Sequence, residues 1–262
     1  MKKLSVFFVC LVSVLALKAQ DKIITVESDT INYKLQYDPA STFEETKHSW
    51  LVSINYGISH LPWLPDNVDL GKVPDNYTKI KTGFHLDANL HHMISTSLGV
   101  GLQYSFYKSD SPTTFDPHRN MSQKHQQYIN YIGNSFILRQ YLDKKHKIRI
   151  SETLSGGIAF FRSKQQSFTD PKSFYAGYSK ITQSSLVTGH AFAGKIGLST
   201  EYKILPYLSI GLGGSLLLNW LDTIDEESEN SNGTKNIIRR QKLEKSINLS
   251  RIDGSLLLHF HF

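Results

Sequence analysis

The stretch that decides the fold is the carboxyl-terminal one, Arg251-Ile252-Asp253-Gly254-Ser255-Leu256-Leu257-Leu258-His259-Phe260-His261-Phe262. Its side chains alternate between two kinds, as those of a β-strand between two media do. The apolar face carries Ile252, Gly254, Leu256, Leu258, Phe260 and Phe262. The polar face carries Arg251, Asp253, Ser255, His259 and His261, with Leu257 alone out of pattern. Such a strand fits a soluble sandwich, whose apolar face meets a second sheet, or a transmembrane barrel, whose apolar face meets lipid.

Residues 1–19 have the anatomy of a secretory signal peptide. Two lysines precede an apolar run from Leu4 to Leu17, and Ala19 offers a small residue for cleavage. Cleavage would remove Cys10, the one cysteine, so the sheet must hold the exported protein together without disulfides. It would also remove three lysines and lower the net charge from +6 to +3, which gives little support to nucleic-acid binding. We expect export through the Sec pathway, with residues 20–47 as a periplasmic lead-in.

Strand-like segments fill the rest of the chain, and there are about eight of them, the smallest common number for a membrane barrel. They lie at approximately 48–58, 79–91, 94–108, 126–142, 146–163, 187–203, 206–221 and 246–262. No stretch after the signal approaches the roughly 20 apolar residues that a spanning helix needs. The sequence therefore predicts an all-β domain at 48–262, folded as a transmembrane antiparallel up-and-down β-barrel.

The connections between these segments alternate strictly between short and long. The short ones are His91–Ile94, Asp143–His146 and Lys203–Pro206, and the long ones are 59–78, 109–125, 164–186 and 222–245. This alternation is expected when one barrel end faces the periplasm and the other the outside, and a soluble sandwich has no reason for it. We therefore expect four long extracellular loops.

Aromatic residues collect at both ends of the predicted strands. The short-turn end has Trp50, Tyr141, Tyr202, Tyr207, Phe260 and Phe262. The long-loop end has Tyr56, Tyr104, Phe106, Tyr128, Tyr131, Phe160 and Trp220. Two such girdles are typical of the two membrane interfaces of a barrel.

A terminal phenylalanine after alternating apolar residues resembles the assembly signal of bacterial outer-membrane barrels. The hairpin at Tyr128–Leu142 and Lys147–Ile150, which leads to Gly156-Gly157, is similar to the central hairpin of the porin-like outer-membrane β-barrel domain family of Gram-negative bacteria. The resemblance implies an outer-membrane address, and periplasmic chaperones and a barrel-assembly machinery as partners. Its signal would consist of Leu256, Leu258, Phe260 and Phe262. The resemblance carries over no catalytic residue.

Alternation also predicts a polar interior filled by side chains. The inward residues of this network are Lys81, His85, Asp87, Arg149, Lys195, Glu201, Arg251 and Asp253. An eight-stranded barrel is just filled by side chains, and charges inside it must be paired to be tolerated. The alternative is a catalytic or metal site made of His85, Asp87, His259 and His261. Two histidines at period two in a strand share a face, but a third spaced ligand is missing. No Gly-x-Ser-x-Gly or comparable nucleophile setting occurs either.

The connection at 222–245 carries an acidic run followed by a basic run. The acidic residues lack the spaced oxygen ligands and the glycine of a calcium loop, so a solvated surface is favoured. The basic residues Arg239, Arg240 and Lys242 return to the last strand at the outer interface, where they would contact lipopolysaccharide phosphates.

These observations favour a non-enzymatic outer-membrane barrel with a structural role or a binding role carried by its loops. We expect no cofactor, no metal ion and no nucleic-acid partner, and the sequence names no extracellular ligand. The alternative is a small barrel enzyme that hydrolyses lipid or peptide with its inward histidines and carboxylates. A general porin is disfavoured because aqueous channels need about 16–18 strands.

Overall fold

The fold is described by a computed structural model that covers residues 50–63, 81–111, 114–116, 121–143, 146–168, 181–230 and 232–262. The predicted signal peptide (1–19) and periplasmic lead-in (20–47) lie outside these ranges. The strands are β1 (Trp50–His60), β2 (Thr82–Met93), β3 (Leu98–Asp110), β4 (Thr114–Asp116), β5 (Met121–Tyr141), β6 (Ile148–Phe168), β7 (Ile181–Leu205), β8 (Leu208–Asn230), β9 (Lys235–Asn248) and β10 (Arg251–His261). Within the described ranges, no helix is long and apolar enough to cross a membrane.

Eight of these strands close into a ring. The order is β1-β2-β3-β5-β6-β7-β8-β10, every neighbouring pair is antiparallel, and β10 returns to β1. At the closing seam Leu51 faces His261 and His60 faces Ile252. Each of the eight strands therefore pairs with a neighbour on both sides, and the ring has no unpaired edge strand. The predicted eight-stranded up-and-down barrel is confirmed.

The three short turns lie at one end of the barrel, as predicted. In the turn from β5 to β6, Asp143 accepts hydrogen bonds at Oδ1 from the backbone N–H groups of Lys147 (2.9 Å) and Ile148 (2.7 Å). In the turn from β2 to β3, the N–H of Ile94 donates to the carbonyl of Leu98 at 2.8 Å. Side-chain and backbone hydrogen bonds thus fix the register of these hairpins locally.

The opposite end carries more strand than the sequence predicts. The segments assigned as loops 109–125, 164–186 and 222–245 contain β4, the start of β5, the end of β6, the start of β7, the end of β8 and most of β9. The predicted loops at this end were therefore too long, because part of each one is β-strand. The physical reason is that polar residues predominate on both faces of these extensions and the few apolar residues do not alternate with them, which removes the period-two signal while the backbone pairing continues.

Strand β9 continues the line of β10 after a short interruption. The N–H of Leu249 donates to the carbonyl of Asn219 at 2.9 Å, and the N–H of Asn219 donates to Ser250 Oγ at 3.0 Å. The pairing between β8 and β9 shifts register twice, after Leu221 and after Ile224. These shifts separate the regular barrel below from the β8–β9 hairpin that extends above it.

Candidate functional site: the outer wall and the filled interior

The outer wall of the barrel is apolar and exposed. Large hydrophobic side chains point outward from each of the eight barrel strands, and Phe192 (88% exposed) and Leu256 (66% exposed) are among the most accessible. We call this surface the apolar belt; it includes Ile54, Ile58, Leu86, Leu90, Leu102, Ile132, Phe136, Ile158, Phe192, Leu198, Ile210, Leu212, Leu256 and Leu258. A continuous surface of this kind far exceeds the apolar patches that soluble monomers expose.

Aromatic side chains flank the apolar belt at both ends. Outward rings at the long-loop end include Tyr56, Phe84, Tyr104, Phe160 and Trp220, and those at the short-turn end include Trp50, Tyr202, Tyr207 and Phe262. Two residues that were predicted to belong to these aromatic girdles point into the barrel instead. Tyr131 is fully buried inside the barrel and donates its hydroxyl to Ser155 Oγ at 2.9 Å. Tyr141 shares the inward face, where the Arg149 guanidinium lies 4.6 Å from its ring centre. Alternation along β5 places both on the inner face.

The middle of the interior holds two carboxylates and two cations. Lys195 Nζ lies 2.6 Å from Asp87 Oδ2 and 3.5 Å from Asp253 Oδ2. Arg251 Nε lies 3.0 Å from Asp253 Oδ1, and its Nη2 lies 3.9 Å from Asp87 Oδ1. All four side chains are at least 97% buried. We call this cluster the central quartet. Its formal charges cancel, which buried charges require.

Serine hydroxyls complete the central quartet. Ser215 Oγ donates to Asp253 Oδ2 at 2.9 Å, and Ser59 also donates to this carboxylate. Ser105 donates to Asp87 and accepts from Arg251. Small inward residues therefore leave room for the long cations and satisfy their partners with hydrogen bonds.

A second ionic cluster lies nearer the short turns and centres on Glu201. Arg139 Nη2 lies 2.6 Å from Glu201 Oε1, and His259 Nδ1 lies 2.9 Å from Glu201 Oε2. Ser151 donates to the same carboxylate at 3.2 Å. His261 accompanies this cluster, with Nε2 3.2 Å from Ser209 Oγ. Arg139 was not among the predicted network residues, although its inward position on the alternating face of β5 was a usable signal.

The interior toward the long-loop end is apolar, which the sequence analysis did not predict. We call this cluster the apolar plug; it consists of Leu61, Tyr107, Ile129, Tyr131, Ala159, Phe161, Val187, Ala193, Leu217, Leu221, Ile224, Ile247 and Leu249. Its members come from β3, β5, β6, β7, β8 and β9, together with Leu61 and Leu249, which directly follow β1 and β9. Residues that depart from the polar inward pattern, such as Leu217, were the available signal. The interior is therefore polar toward the short-turn end and is closed toward the long-loop end by the apolar plug.

Polar residues reappear beyond the apolar plug. His125 Nε2 lies 2.5 Å from Ser163 Oγ, and the N–H of His125 donates to Ser111 Oγ at 2.9 Å. Burial lowers the pKa of His125 to about 4, because a protonated imidazole would lose its hydration there. This histidine is therefore neutral at pH 7.

Seven of the eight predicted network residues are buried inside the barrel. His85 lies beside the central quartet, Arg149 lies at the short-turn end, and the other five belong to the central quartet or the Glu201 cluster. Lys81 is the exception: it precedes β2 and is half-buried, and its carbonyl accepts the N–H of Leu61 at 2.8 Å. Alternation placed the others correctly because their strands are regular there.

Among the residues that the structure describes, one set of groups with metal-ligand chemistry lies in the interior. A ligand atom of His85, one of Asp87 and one of Asp253 lie within 4.8 Å of one another. Both carboxylates already have cationic partners in Lys195 and Arg251, so a divalent ion would meet two fixed positive charges. The donor set therefore fits the ion pairs better than a resident metal ion.

A small cavity lies against the polar clusters, with room for about 30 Å³ and a lining that includes Asn55, Asn89, His91, Lys195 and His259. That volume suits a single water molecule and not a lipid or a peptide. His259 belongs to the alternative catalytic site, and the cavity beside it is too small for a lipid or peptide substrate.

The predicted lipopolysaccharide contacts lie in strand β9. Arg239 and Arg240 line an open groove together with Asp225, Glu226 and Glu227 of β8. The N–H of Arg240 donates to Asp225 Oδ1 at 2.6 Å. Lys242 faces Thr223 across the hairpin. The acidic run in β8 and the basic run in β9 thus form two paired strands instead of the predicted loop.

The predicted assembly signal has the geometry expected of a lipid-facing strand. Leu256, Leu258 and Phe262 are exposed on the outer wall, and Phe260 packs beside Phe262 with ring centres 6.5 Å apart. Leu257, the residue out of pattern, points inward and is buried. The backbone of Phe262 pairs with Trp50 through two hydrogen bonds, of 3.0 and 2.9 Å.

Comparison with solved structures returns outer-membrane β-barrel proteins. A major outer membrane protein from Thermus thermophilus is 11% identical with a TM-score of 0.49, over 82% of this chain and all of that one. Neisserial surface protein A is 14% identical with a TM-score of 0.37, over 82% and 97%. OprG from Pseudomonas aeruginosa is 12% identical with a TM-score of 0.38, over 82% and 97%.

No protein-family model and no curated protein sequence matches the chain. The closure of the barrel rests on this chain's own strand pairing.

Proposed function

We propose that the protein is an integral outer-membrane β-barrel of a Gram-negative bacterium, closed to ions, with a structural role or a binding role outside the cell. The observation that carries this proposal is the inversion of polarity between wall and interior. The apolar belt faces outward, while charged residues such as Arg251 and Lys195 are buried and paired inside. Lipid on the outside makes this arrangement favourable, whereas water would penalise it.

The apolar plug supports a sealed barrel instead of a channel. Rings such as Tyr107 and Phe161 fill the lumen above the central quartet. Small barrels leave no aqueous path once side chains fill them. A conducting role is therefore not part of the proposal.

The extensions above the belt support a binding role. Strand β8 continues for about ten residues beyond Trp220, which corresponds to roughly 30 Å of strand. It pairs there with β9, and on its other side Ser184–Thr188 of β7 pairs with 225–229. A paired extension of this kind can present residues far from the lipid surface.

The inward carboxylates are already paired with buried cations, which supports a non-enzymatic role. The histidines and carboxylates of the alternative catalytic site lie in the filled interior, beneath the apolar plug, and the adjoining cavity holds about 30 Å³. No described residue of this set lies in a substrate-sized cleft. We expect periplasmic chaperones and the barrel-assembly machinery as the partners of its biogenesis.

Cell fractionation tests the proposal. The full chain, expressed in a Gram-negative host, should sediment with the outer membrane and migrate faster on gels before heating than after it, as folded barrels do. Recovery in the soluble fraction would overturn the proposal. A lipid- or peptide-hydrolysing activity that disappears in a fully folded His259→Ala variant would instead support the enzyme alternative.

A further inference from the structure

Basic side chains gather on the outer wall where the apolar belt ends. They are Lys108 on β3, Lys124 on β5, and Arg162 and Lys164 on β6, and we call them the rim patch. Lys108 faces Tyr128 across β3–β5, and Tyr128 faces Arg162 across β5–β6. The patch thus lies level with the outer aromatic girdle and just beyond it.

Two members of the rim patch, Arg162 and Lys164, line a recess on the surface. The recess has a volume of about 280 Å³ and is lined by Gln126, Tyr128, Asn130, Arg162 and Lys164. Tyr104 donates its hydroxyl to Asn130 Oδ1 at 2.8 Å, which leaves the amide NH2 group of Asn130 as a donor. A guanidinium, an ammonium group and side-chain amides therefore converge there, and such donors recognise phosphate oxygens.

Within the described ranges of the chain, most of the charge of the rim patch is uncompensated. Lys108 pairs with Asp110 at 2.8 Å. Among the residues that the structure describes, Lys124, Arg162 and Lys164 have no ion-pair partner. The basic residues of β9 differ, since Arg239 and Arg240 share their groove with three carboxylates. An anion is therefore attracted more strongly to the rim patch than to β9.

An amphiphile suits this position better than a free anion. Ile132, Ile158 and Phe160 of the apolar belt lie directly below the recess on the same two strands. A lipid whose phosphate occupies the recess can lay its acyl chains along these side chains, whereas inorganic phosphate gains nothing from them.

We propose that the rim patch binds the phosphate group of an anionic lipid of the outer leaflet. This inference rests on the proposed outer-membrane location and names a lipid class for that surface. It replaces Arg239, Arg240 and Lys242 of β9 as the expected contact. The phosphate accepts from Arg162 and Lys164, with Lys124 and Lys108 at its edge.

The test compares two variants of the purified full chain in an uncharged detergent. Binding of diphosphorylated lipid A is measured by native mass spectrometry. The rim variant carries Lys124→Gln, Arg162→Gln and Lys164→Gln, and the matched control carries Arg239→Gln, Arg240→Gln and Lys242→Gln. A basic residue beside an anionic headgroup contributes about fivefold in affinity, so the rim variant should bind about 100-fold more weakly. The control should stay within about threefold of the native protein.

The inference would be overturned by equal binding by the rim variant and the native protein, by a larger loss in the β9 control, or by equal binding of the dephosphorylated lipid. Competition by millimolar inorganic phosphate would also overturn it, since it would identify a free-anion site. Both variants should keep the heat-dependent migration of the folded barrel. Because the assay uses detergent, its outcome is independent of the fractionation experiment that tests the location.

Discussion

At the scale of single residues, the interior of the barrel is organised by local neutralisation of charge. Asp253 contacts both Arg251 and Lys195, so it holds two buried cations at once. Removing one partner of a buried pair leaves an uncompensated charge, which costs far more than losing an exposed pair. The central quartet should therefore respond to single substitutions much more strongly than an exposed ion pair such as that of Lys235 with Glu229 (3.7 Å) in the β8–β9 hairpin.

Asp253→Ala tests this expectation. We expect it to lower the free energy of unfolding by about 3–5 kcal/mol, because Arg251 and Lys195 would share Asp87 alone. Urea-induced unfolding in detergent, followed by tryptophan fluorescence, measures the change. Asp222→Ala, at an exposed carboxylate of β8, is the matched control and should change stability by about 0.5 kcal/mol or less. Equal effects of the two substitutions would contradict a structural quartet.

A double substitution separates pairing from simple loss of packing. If Asp253 and Lys195 stabilise each other, the effect of Asp253→Ala together with Lys195→Ala should be smaller than the sum of the single effects. The same unfolding measurement provides the comparison. Strict additivity would show that the 3.5 Å contact between them carries no coupling.

At the scale of elements, β10 closes the barrel and exposes one face to the apolar belt. Leu256→Asp together with Leu258→Asp places two carboxylates on the lipid face, where Arg or Lys costs roughly 2–4 kcal/mol at mid-bilayer and an acidic residue somewhat less. We expect the variant to be absent from the outer-membrane fraction. Deletion of Phe262 should have the same result, because it removes the last pairing with Trp50.

Ile237→Asp is the control for this experiment. Ile237 is also an exposed hydrophobic residue, but it lies on β9 above the belt. Its replacement should leave outer-membrane levels unchanged. Normal levels of the β10 variants, or an equal loss of the control, would argue against a lipid-facing β10.

The same elements show what the sequence could and could not predict. Alternation identified the outward face of β10 and the inward positions of Asp87, Lys195 and Glu201, because period two is a direct consequence of strand geometry. It failed for the β8–β9 hairpin, where polar residues predominate on both faces. It also missed the apolar plug, because inward residues such as Leu217 interrupt the polar face at only a few positions on each strand, and only the strand register brings them together into one cluster.

At the scale of the whole molecule, the barrel combines a membrane-facing wall with a closed lumen. The apolar plug and the central quartet lie in series along the lumen. We therefore expect planar-bilayer recordings of the purified protein to show no large, stable, porin-sized conductance steps. Regular steps of that size would contradict a sealed interior.

The central claim is the inversion of polarity, and lipid quenching tests it most directly. Cys10 is the one cysteine, so Cys10→Ser allows a single reporter cysteine to be placed along β10. Fluorophores at 252, 254, 256 and 258 should be quenched by brominated lipids, while those at 255 and 257, on the inward face and outside the central quartet, should be protected. Quenching at the second set, or at neither set, would contradict the account.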